Sequence, residues 1–379
     1  MRILLLADIH IGSIKDMTYT YNVVTDIIEK EIMFTKTDMV VILGDYFDKL
    51  FKVNEEHVST AINIMSFLVR ACERSKTKIR IIYGTESHEM NQYKLFNYHF
   101  TSTSVDIKLF TTVTDEEIDG KKILYLPEEY VSSKDKFYKK YLYSGKHYDY
   151  IFGHGIIEEG VPLGIKLNKT ASQNVEKQVP RFKSGELHQS GDIVVFGHYH
   201  CFNDIGDNVY YLGSLFRNSF GEEIPKGYGI IENDQFKFIE NTQAYIYKEY
   251  EFDKNSDIYK NASNILSAID RIKKDNKEIF SGEKVGKIKI KFSVPKDADA
   301  SFRDNLNSII LNDKLFTLSF QECDEDIIDE DTTDDGDEFD FVLESMDIGD
   351  KIFSFINKTH DIDLSLQKIN MYISEPLKI

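Results

Sequence analysis

Residues 2–10 read RILLLADIH, an apolar run that ends in Asp8 and His10. A short, nearly unbroken apolar run predicts a strand buried on both faces of its sheet. The pattern recurs four times. Residues 39–43 run into Gly44, Asp45 and Asp48, and residues 79–83 into Gly84, Glu86, Ser87, His88 and Glu89. Residues 148–152 run into Gly153 and His154, and residues 192–196 into Gly197, His198 and His200. Between the runs lie helical periods. One carries Val23, Ile27 and Ile28; another carries Val58, Ile62, Met65, Val69 and Cys72, with Asn54 as its N-cap. Strand–helix alternation predicts an α/β domain with crossover connections. Open α/β sheets bind ligands at the carboxyl ends of their strands. Five strand ends therefore bring histidine and carboxylate side chains to one crevice.

A single acid after a strand is ordinarily a turn residue or a helix cap, and a single buried histidine is ordinarily a hydrogen-bonded core residue. Five in succession argue for a metal centre. Oxygen and imidazole donors without thiolate suit manganese, iron or zinc rather than a structural zinc site. Two such ions side by side stabilise both the attacking and the leaving oxygen of a phosphoester displacement. Gly44, Gly153 and Gly197 stand directly before the polar residues, which predicts tight turns that aim those side chains inward. His57, His99, His147, His188 and His360 lack a strand end before them and read as structural or surface residues.

The pattern fills residues 1–240, where 123–126, 209–212 and 228–231 read as further strands. Residues 245–320 change character. Ile258, Ala262, Ile265, Ile269 and Ile272 mark an amphipathic helix; Ile288, Ile290, Phe292 and Val294 alternate as a strand with one wet face. Phe302, Leu306, Ile309 and Ile310 predict another helix, and 315–320 another strand, which makes a small α+β module. Residues 321–340 read as an acidic disordered linker, because 322–340 holds twelve acids and no base. Residues 341–379 regain apolar periodicity, through Val342, Met346, Ile352 and Ile356 and then Leu366, Ile369 and Ile373. Two short helices behind such a linker predict a segment that docks on a partner.

Composition narrows the classes. At 379 residues the chain is long enough for two or three domains, and 41% hydrophobic residues exclude a wholly disordered protein. Cys72, Cys201 and Cys323 are far apart and in no CxxC spacing, which argues against a disulfide scaffold or a zinc ribbon. No stretch approaches the ~20 apolar residues of a membrane span. The N-terminal run has an acid directly behind it, unlike a signal peptide, and a cytoplasmic protein is expected. A net charge of -18 argues against a chain that grips nucleic acid unaided. Residues 254–296 run the other way, with eleven bases and five acids.

The series Asp8-x-His10, Gly44-Asp45-x-x-Asp48, Ser87-His88-Glu89, Gly153-His154 and Gly197-His198-x-His200 resembles the calcineurin-like metallophosphoesterase superfamily. Its layout is similar to the SbcD-type (Mre-eleven-like) DNA repair nucleases, and most of all to phage recombination endonuclease subunits. The resemblance implies a two-sheet metallophosphoesterase sandwich flanked by helices over 1–240, a capping domain over 245–320, and a tail over 341–379 that binds an SbcC-type ATPase. It implies that Asp8, His10 and His200 hold a first metal, that Asp45 bridges, and that His154 and His198 hold a second. His88 then lies outside the metal shell near the scissile phosphate, as the catalytic residue. Two Mn²⁺ are implied, with Mg²⁺, Fe²⁺ or Zn²⁺ as substitutes. Asp48 reads as an orienting residue or a loop cap. One element departs from the pattern: two extra residues follow Gly84, and Ser87 stands where the family carries an Asn ligand. Ser87 as ligand is the reading taken here, with Glu86 or water as alternatives. Ser87, a weak neutral donor, predicts reduced affinity for the second metal.

The resemblance implies a two-metal DNA nuclease subunit in double-strand break repair, recombination and replication. It implies 3′–5′ exonuclease action on duplex ends, endonuclease action on single strands, and a homodimer formed through the nuclease domain. The setting is the cytoplasm of a bacterium, or of a host if the chain is phage-encoded. The motifs also permit a phosphatase or phosphodiesterase of a small molecule or cyclic nucleotide. A non-catalytic scaffold is the reading from another class.

Overall fold

The N-terminal apolar run is a strand in the computed structural model, which describes residues 1–52, 55–161, 179, 181–220, 222, 224–253, 256–260, 262–295 and 315–323. In chain order the strands are β1 (Arg2–Leu6), β2 (Met39–Leu43), β3 (Lys78–Ile82), β4 (Ile107–Phe110), β5 (Thr114–Ile118), β6 (Lys121–Leu126), β7 (Tyr148–His154), β8 (Ile156–Ile157) and β9 (Arg181–Phe182). They continue with β10 (Gly191–Gly197), β11 (Asn203–Gly206), β12 (Val209–Tyr211), β13 (Gly227–Glu232), β14 (Gln235–Glu240), β15 (Ile246–Phe252), β16 (Gly286–Pro295) and β17 (Phe316–Cys323).

Two six-stranded sheets result, in the orders β14-β13-β1-β2-β3-β4 and β11-β12-β10-β7-β6-β5. Strands β1 to β4 are mutually parallel, while β13 runs antiparallel beside β1 and β14 antiparallel beside β13. In the second sheet β6, β7, β10 and β12 are parallel, and β5 and β11 are antiparallel edges. Between the sheets Ile3, Leu5, Val41 and Leu43 meet Ile123, Tyr125, Phe152 and Val195, all fully buried. The outer face of the first sheet is covered by helices Met17–Ile28 and Glu56–Ser75 through Val23, Ile64 and Leu68. The outer face of the second carries helix Ser184–Ser190 and the tyrosines Tyr138 and Tyr141. Covering both faces is why the central strands read as unbroken apolar runs.

Local details differ from the sequence reading. Helix Glu56–Ser75 is preceded by Glu55, which makes no side-chain capping bond; Asn54, the expected cap, lies outside the described residues. Its buried stripe holds Ala61, Ile64, Met65, Leu68, Val69 and Cys72, rotated from the expected one. Val58 and Ile62 are only half-buried at its flank. The rotation follows from packing against helix Met17–Ile28 as well as against the sheet. Gly153 and Gly197 are strand residues with no left-handed backbone, so they do not make the expected turns.

The segment after β14 forms a third sheet, β15-β16-β17. Its strands are parallel, and helix Ala262–Asp275 crosses from β15 to β16. Among the described residues the module thus shows three parallel strands with a helix crossing between the first two. Ile265, Ile269 and Ile272 on the helix bury against Ile288 and Ile290 on β16, and this burial selects the crossover. The helix expected around Phe302, the linker and the tail lie outside the described residues.

Candidate metal centre

Strands β1, β2 and β3 are parallel neighbours in one sheet, and β6, β7 and β10 in the other. Their carboxyl ends therefore emerge together. Asp8 and His10 follow β1, Asp45 follows β2, and Thr85 and His88 follow β3. Glu128 follows β6, His154 ends β7, and His198 and His200 follow β10. The chain turns sharply at these positions. Asp8, His10 and Asp45 take left-handed backbone, with φ of 46°, 45° and 47°, a conformation that costs a non-glycine residue roughly 1–3 kcal/mol. Backbone bonds between the two loops hold it: Asp8 N–H donates to Gly44 O at 3.3 Å and His10 N–H to Asp45 O at 3.0 Å.

The glycines work by clearance. A Cβ on Gly44, itself at φ +84°, would sit 2.4 Å from Nδ1 of His154. A Cβ on Gly197 would sit 2.4 Å from Leu43 O and 2.9 Å from the same nitrogen. The two sheets approach so closely here that only glycine fits between them.

Four overlapping groups of side chains present donor atoms within 4.8 Å of one another: Asp8, His10 and His200; His10, Asp45 and His88; Asp8, Asp45 and His154; and Glu128, His154 and His198. Asp45 lies in the middle, with Oδ2 at 3.3 Å from His154 Nε2 and 3.8 Å from His10 Nε2. His154 donates from Nδ1 to Leu43 O at 2.7 Å, which leaves Nε2 as the basic nitrogen facing the carboxylates. The His198 amide donates to both oxygens of Asp8, at 3.0 and 3.2 Å. His200 is held from behind: buried Lys226 donates to its carbonyl at 2.7 Å and pairs with Glu222.

Both ring nitrogens of buried His10 lack a hydrogen-bond partner among the described residues. A buried polar atom without a partner is costly, and here two point into a carboxylate-lined site. Nitrogen and carboxylate donors without thiolate are the set that divalent manganese, iron or zinc accepts. The residues present fit a pair of such ions.

Charge is tightly coupled here. Burial, assisted by Asp45 and opposed by His154, pushes Asp8 up to about 7. Burial disfavours a proton on His154, but Asp45, Asp8 and Glu128 outweigh it and raise the ring to about 10. Burial and the neighbouring His154 lower His198 to about 3. Burial lowers His200 to about 4, with Glu222 opposing and Lys226 assisting. Burial would raise Asp45 as well, but His154, His88 and His10 hold it well below the usual carboxylate range.

His88 stands edge-on to His10, with ring centroids 4.9 Å apart. Its Nδ1 contacts the Asp48 carbonyl. A carbonyl only accepts, so Nδ1 carries the proton and Nε2 is the basic nitrogen of the neutral ring. Asp48 also approaches His10 Nδ1 at 3.8 Å through its carboxylate, as an orienting residue would.

The structure thus brings together Asp8, His10, Asp45, His88, His154, His198 and His200. Ser87 sits half-buried on the four-residue helix Glu86–Glu89 and makes no hydrogen bond to the centre among the described residues; Glu86 is exposed. Thr85 and Glu128 are there instead. The Thr85 N–H donates to Asp45 Oδ1 at 2.7 Å, and its hydroxyl lies 3.4 Å from Glu128 Oε2 and from His154 Nε2. Sequence reasoning passes over Glu128, although it follows an apolar run by the same rule that singles out the others. His57 packs its ring on Phe51, with centroids 5.5 Å apart, and His147 pairs with Asp192 away from the centre.

No curated protein matches the chain. Among the solved structures that match, one crystal structure has a TM-score of 0.35 at 12% identity, covering 64% of this chain and 99% of its own. The calcineurin-like phosphoesterase profile matches residues 1–202, which contain every residue of the centre and more than half of the chain, and the chain belongs to that family.

Proposed function

We propose that the protein is a two-metal DNA nuclease, the catalytic subunit of a complex with an SbcC-type ATPase that processes double-strand ends. Metal-dependent phosphoester hydrolysis comes with the family; DNA, manganese and the ATPase are the finer reading. The carrying observation is the set of overlapping histidine–carboxylate groups, two of which share Asp45 and one of which includes His88.

Asp8, His10 and His200 would hold one ion, His154 and His198 the other, and Asp45 would touch both. Bound there, divalent ions neutralise phosphoryl charge and make a water nucleophilic near neutral pH. The chain's own residues do the rest. The hydrogen bonds from the His198 amide to Asp8 and from Thr85 to Asp45 fix the carboxylates before substrate arrives. Pre-set groups of this kind pay no reorganisation cost during the reaction. His88, with Nδ1–H held by the Asp48 carbonyl, would take up a proton at its basic Nε2, and only in that protonated form would it donate to the phosphoryl group or deliver the proton to the leaving oxygen.

A polymeric substrate is supported by the third sheet's position. Ser13 donates to His10 O at 2.8 Å and to Asn218 Oδ1 at 2.9 Å. From the same strap Phe220 packs on Tyr247 of β15, with centroids 4.8 Å apart. The module is therefore linked to the His10 side of the centre, which would give a polymeric substrate protein surface beyond the scissile bond. The net charge of -18 favours the second reading, a phosphodiesterase of a small anionic ester.

The test is cleavage of labelled single-stranded and duplex DNA with Mn²⁺, beside His88→Ala and a nitrophenyl phosphodiester. DNA cleavage that drops by about 10²–10⁴ in the variant, with metal content unchanged, supports the nuclease and a catalytic His88. Turnover of the small ester alone, with DNA intact even when an SbcC-type ATPase is added, favours the second reading.

A further inference from the structure

We propose that Glu128 is the ligand that completes the second metal position, where Ser87 was expected. The inference rests on the two-metal reading of the same centre.

Glu128 is placed by backbone. Strand β6 pairs in parallel with β7 up to Leu126, Pro127 ends the ladder, and the Glu128 N–H donates to Tyr83 O at 3.2 Å. Tyr83 directly follows β3, so this bond ties the end of one sheet to the end of the other. It sets Glu128 beside Gly84 and Thr85, the loop in which the family's Asn ligand was sought. The carboxylate reaches inward. Its Oε2 lies 3.4 Å from His198 Nδ1 and 4.0 Å from His154 Nε2, while Oε1 accepts from the Tyr130 hydroxyl at 3.3 Å.

The side chain is 1% exposed. A carboxylate so buried is disfavoured unless paired or bound to a cation. The rings it faces are His154 and His198, the same two assigned to the second ion. Two imidazoles and a carboxylate within 4.8 Å of one another form a ligand set without further rearrangement. With Thr85 in the loop position and Ser87 turned onto a helix, Glu128 supplies the missing oxygen. The substitution changes the site's chemistry. An amide oxygen is neutral, whereas Glu128 adds a negative charge and a hard oxygen, which suits Mn²⁺ or Mg²⁺. The second position is therefore strengthened, where a Ser87 ligand predicted a weak one.

The competing role for Glu128 is to orient His198 from outside the metal shell. Mn²⁺ titration of the metal-stripped protein without DNA separates the two, by calorimetry and by electron paramagnetic resonance of free Mn²⁺. Co²⁺ absorption reports on the coordination sphere. Wild type and Ser87→Ala are expected to bind two equivalents. Glu128→Gln is expected to keep one and to weaken the other at least ~100-fold, at the upper end of what a supporting residue contributes, with a changed Co²⁺ spectrum. Glu128→Asp keeps the charge and shortens the reach, and it should weaken the same equivalent. Thermal melts confirm that each variant is folded. Two equivalents in Glu128→Gln with an unaltered spectrum, a second equivalent weakened less than ~10-fold, or loss of it in Ser87→Ala instead, overturns the proposal. Failure here leaves the nuclease reading standing, because no substrate is involved.

Discussion

At the centre the same side chains hold protons differently from their unfolded counterparts, so stability and metal binding respond to pH in opposite senses. His154 rises from an ordinary 6.5 to about 10. The stability it contributes is complete below 6.5 and is lost as pH rises through 10. His198 and His200, lowered to about 3 and about 4, act on the acid side: they oppose unfolding above 6.5 and lose that contribution as pH falls. Asp8, raised from 3.8 to about 7, favours the folded chain below 3.8 and loses that preference as pH rises to 7. From pH 4 to 6.5 these effects oppose one another, and of these four groups only His154 still acts above 7. Metal-stripped protein should therefore melt at a lower temperature at pH 9 than at pH 7. With Mn²⁺ the trend should reverse, because binding needs a neutral His154 and an ionised Asp8. Thermal melts with EDTA and with Mn²⁺ check this, and parallel declines in both would refute the ligand role of His154. Asp8, His154 and His198 were legible because each follows a glycine or an alanine at the end of an apolar run, and His200 because it stands two residues beyond His198. Glu128 was not, because Leu126-Pro127-Glu128 looks like an ordinary strand exit, and the bond from its N–H to Tyr83 O in the other sheet is invisible to a one-dimensional reading. A one-dimensional reading also does not show that Glu86–Glu89 winds into a helical turn, which sets Ser87 on that turn and leaves Thr85 in the loop after β3.

At the scale of elements, legibility followed position in the sheet. Strands β1, β2, β3 and β13, and β6, β7, β10 and β12, lie inside their sheets and read clearly. The edges β4, β14, β5 and β11 did not. β5 is Thr-Asp-Glu-Glu-Ile, and β11 alternates half-buried and exposed residues. An edge strand faces water and carries charge against edge-to-edge association, so it lacks the apolar run that marks a central strand. Helix Glu56–Ser75 shows a second limit. Several of its faces carry apolar residues, and the sequence does not say which one meets both the sheet and helix Met17–Ile28. Leu68, 2% exposed and absent from the expected stripe, is at that junction. Leu68→Ala should cost about 2–5 kcal/mol, and Val58→Ala, at the half-buried flank, no more than about 1 kcal/mol. Urea unfolding of both variants checks the order, and equal costs would place the core face where the sequence reading put it.

At the scale of the whole molecule, charge and chemistry are distributed unequally. The described residues all belong to the compact unit that ends at Asp324. Residues 325–379 hold sixteen acids and four lysines, so -12 of the net -18 lies beyond that unit. If DNA is the substrate, this excess repels it, and the docking partner proposed for 341–379 would both occupy the segment and supply positive surface. The two effects separate experimentally. A chain ending at Asp324 should keep its Mn²⁺ binding and its hydrolysis of a small phosphodiester, and it should lose association with an SbcC-type ATPase. It should also bind a single-stranded oligonucleotide more tightly than the full chain at low salt. Repulsion between separated charges is screened over a Debye length of ~30 Å at 0.01 M and ~3 Å at 1 M, so the advantage should shrink as salt is raised. Fluorescence anisotropy across that range measures it. An affinity gap that persists at high salt would mean that the segment blocks the centre sterically, and no gap at any salt would mean that its charge does not reach the DNA path.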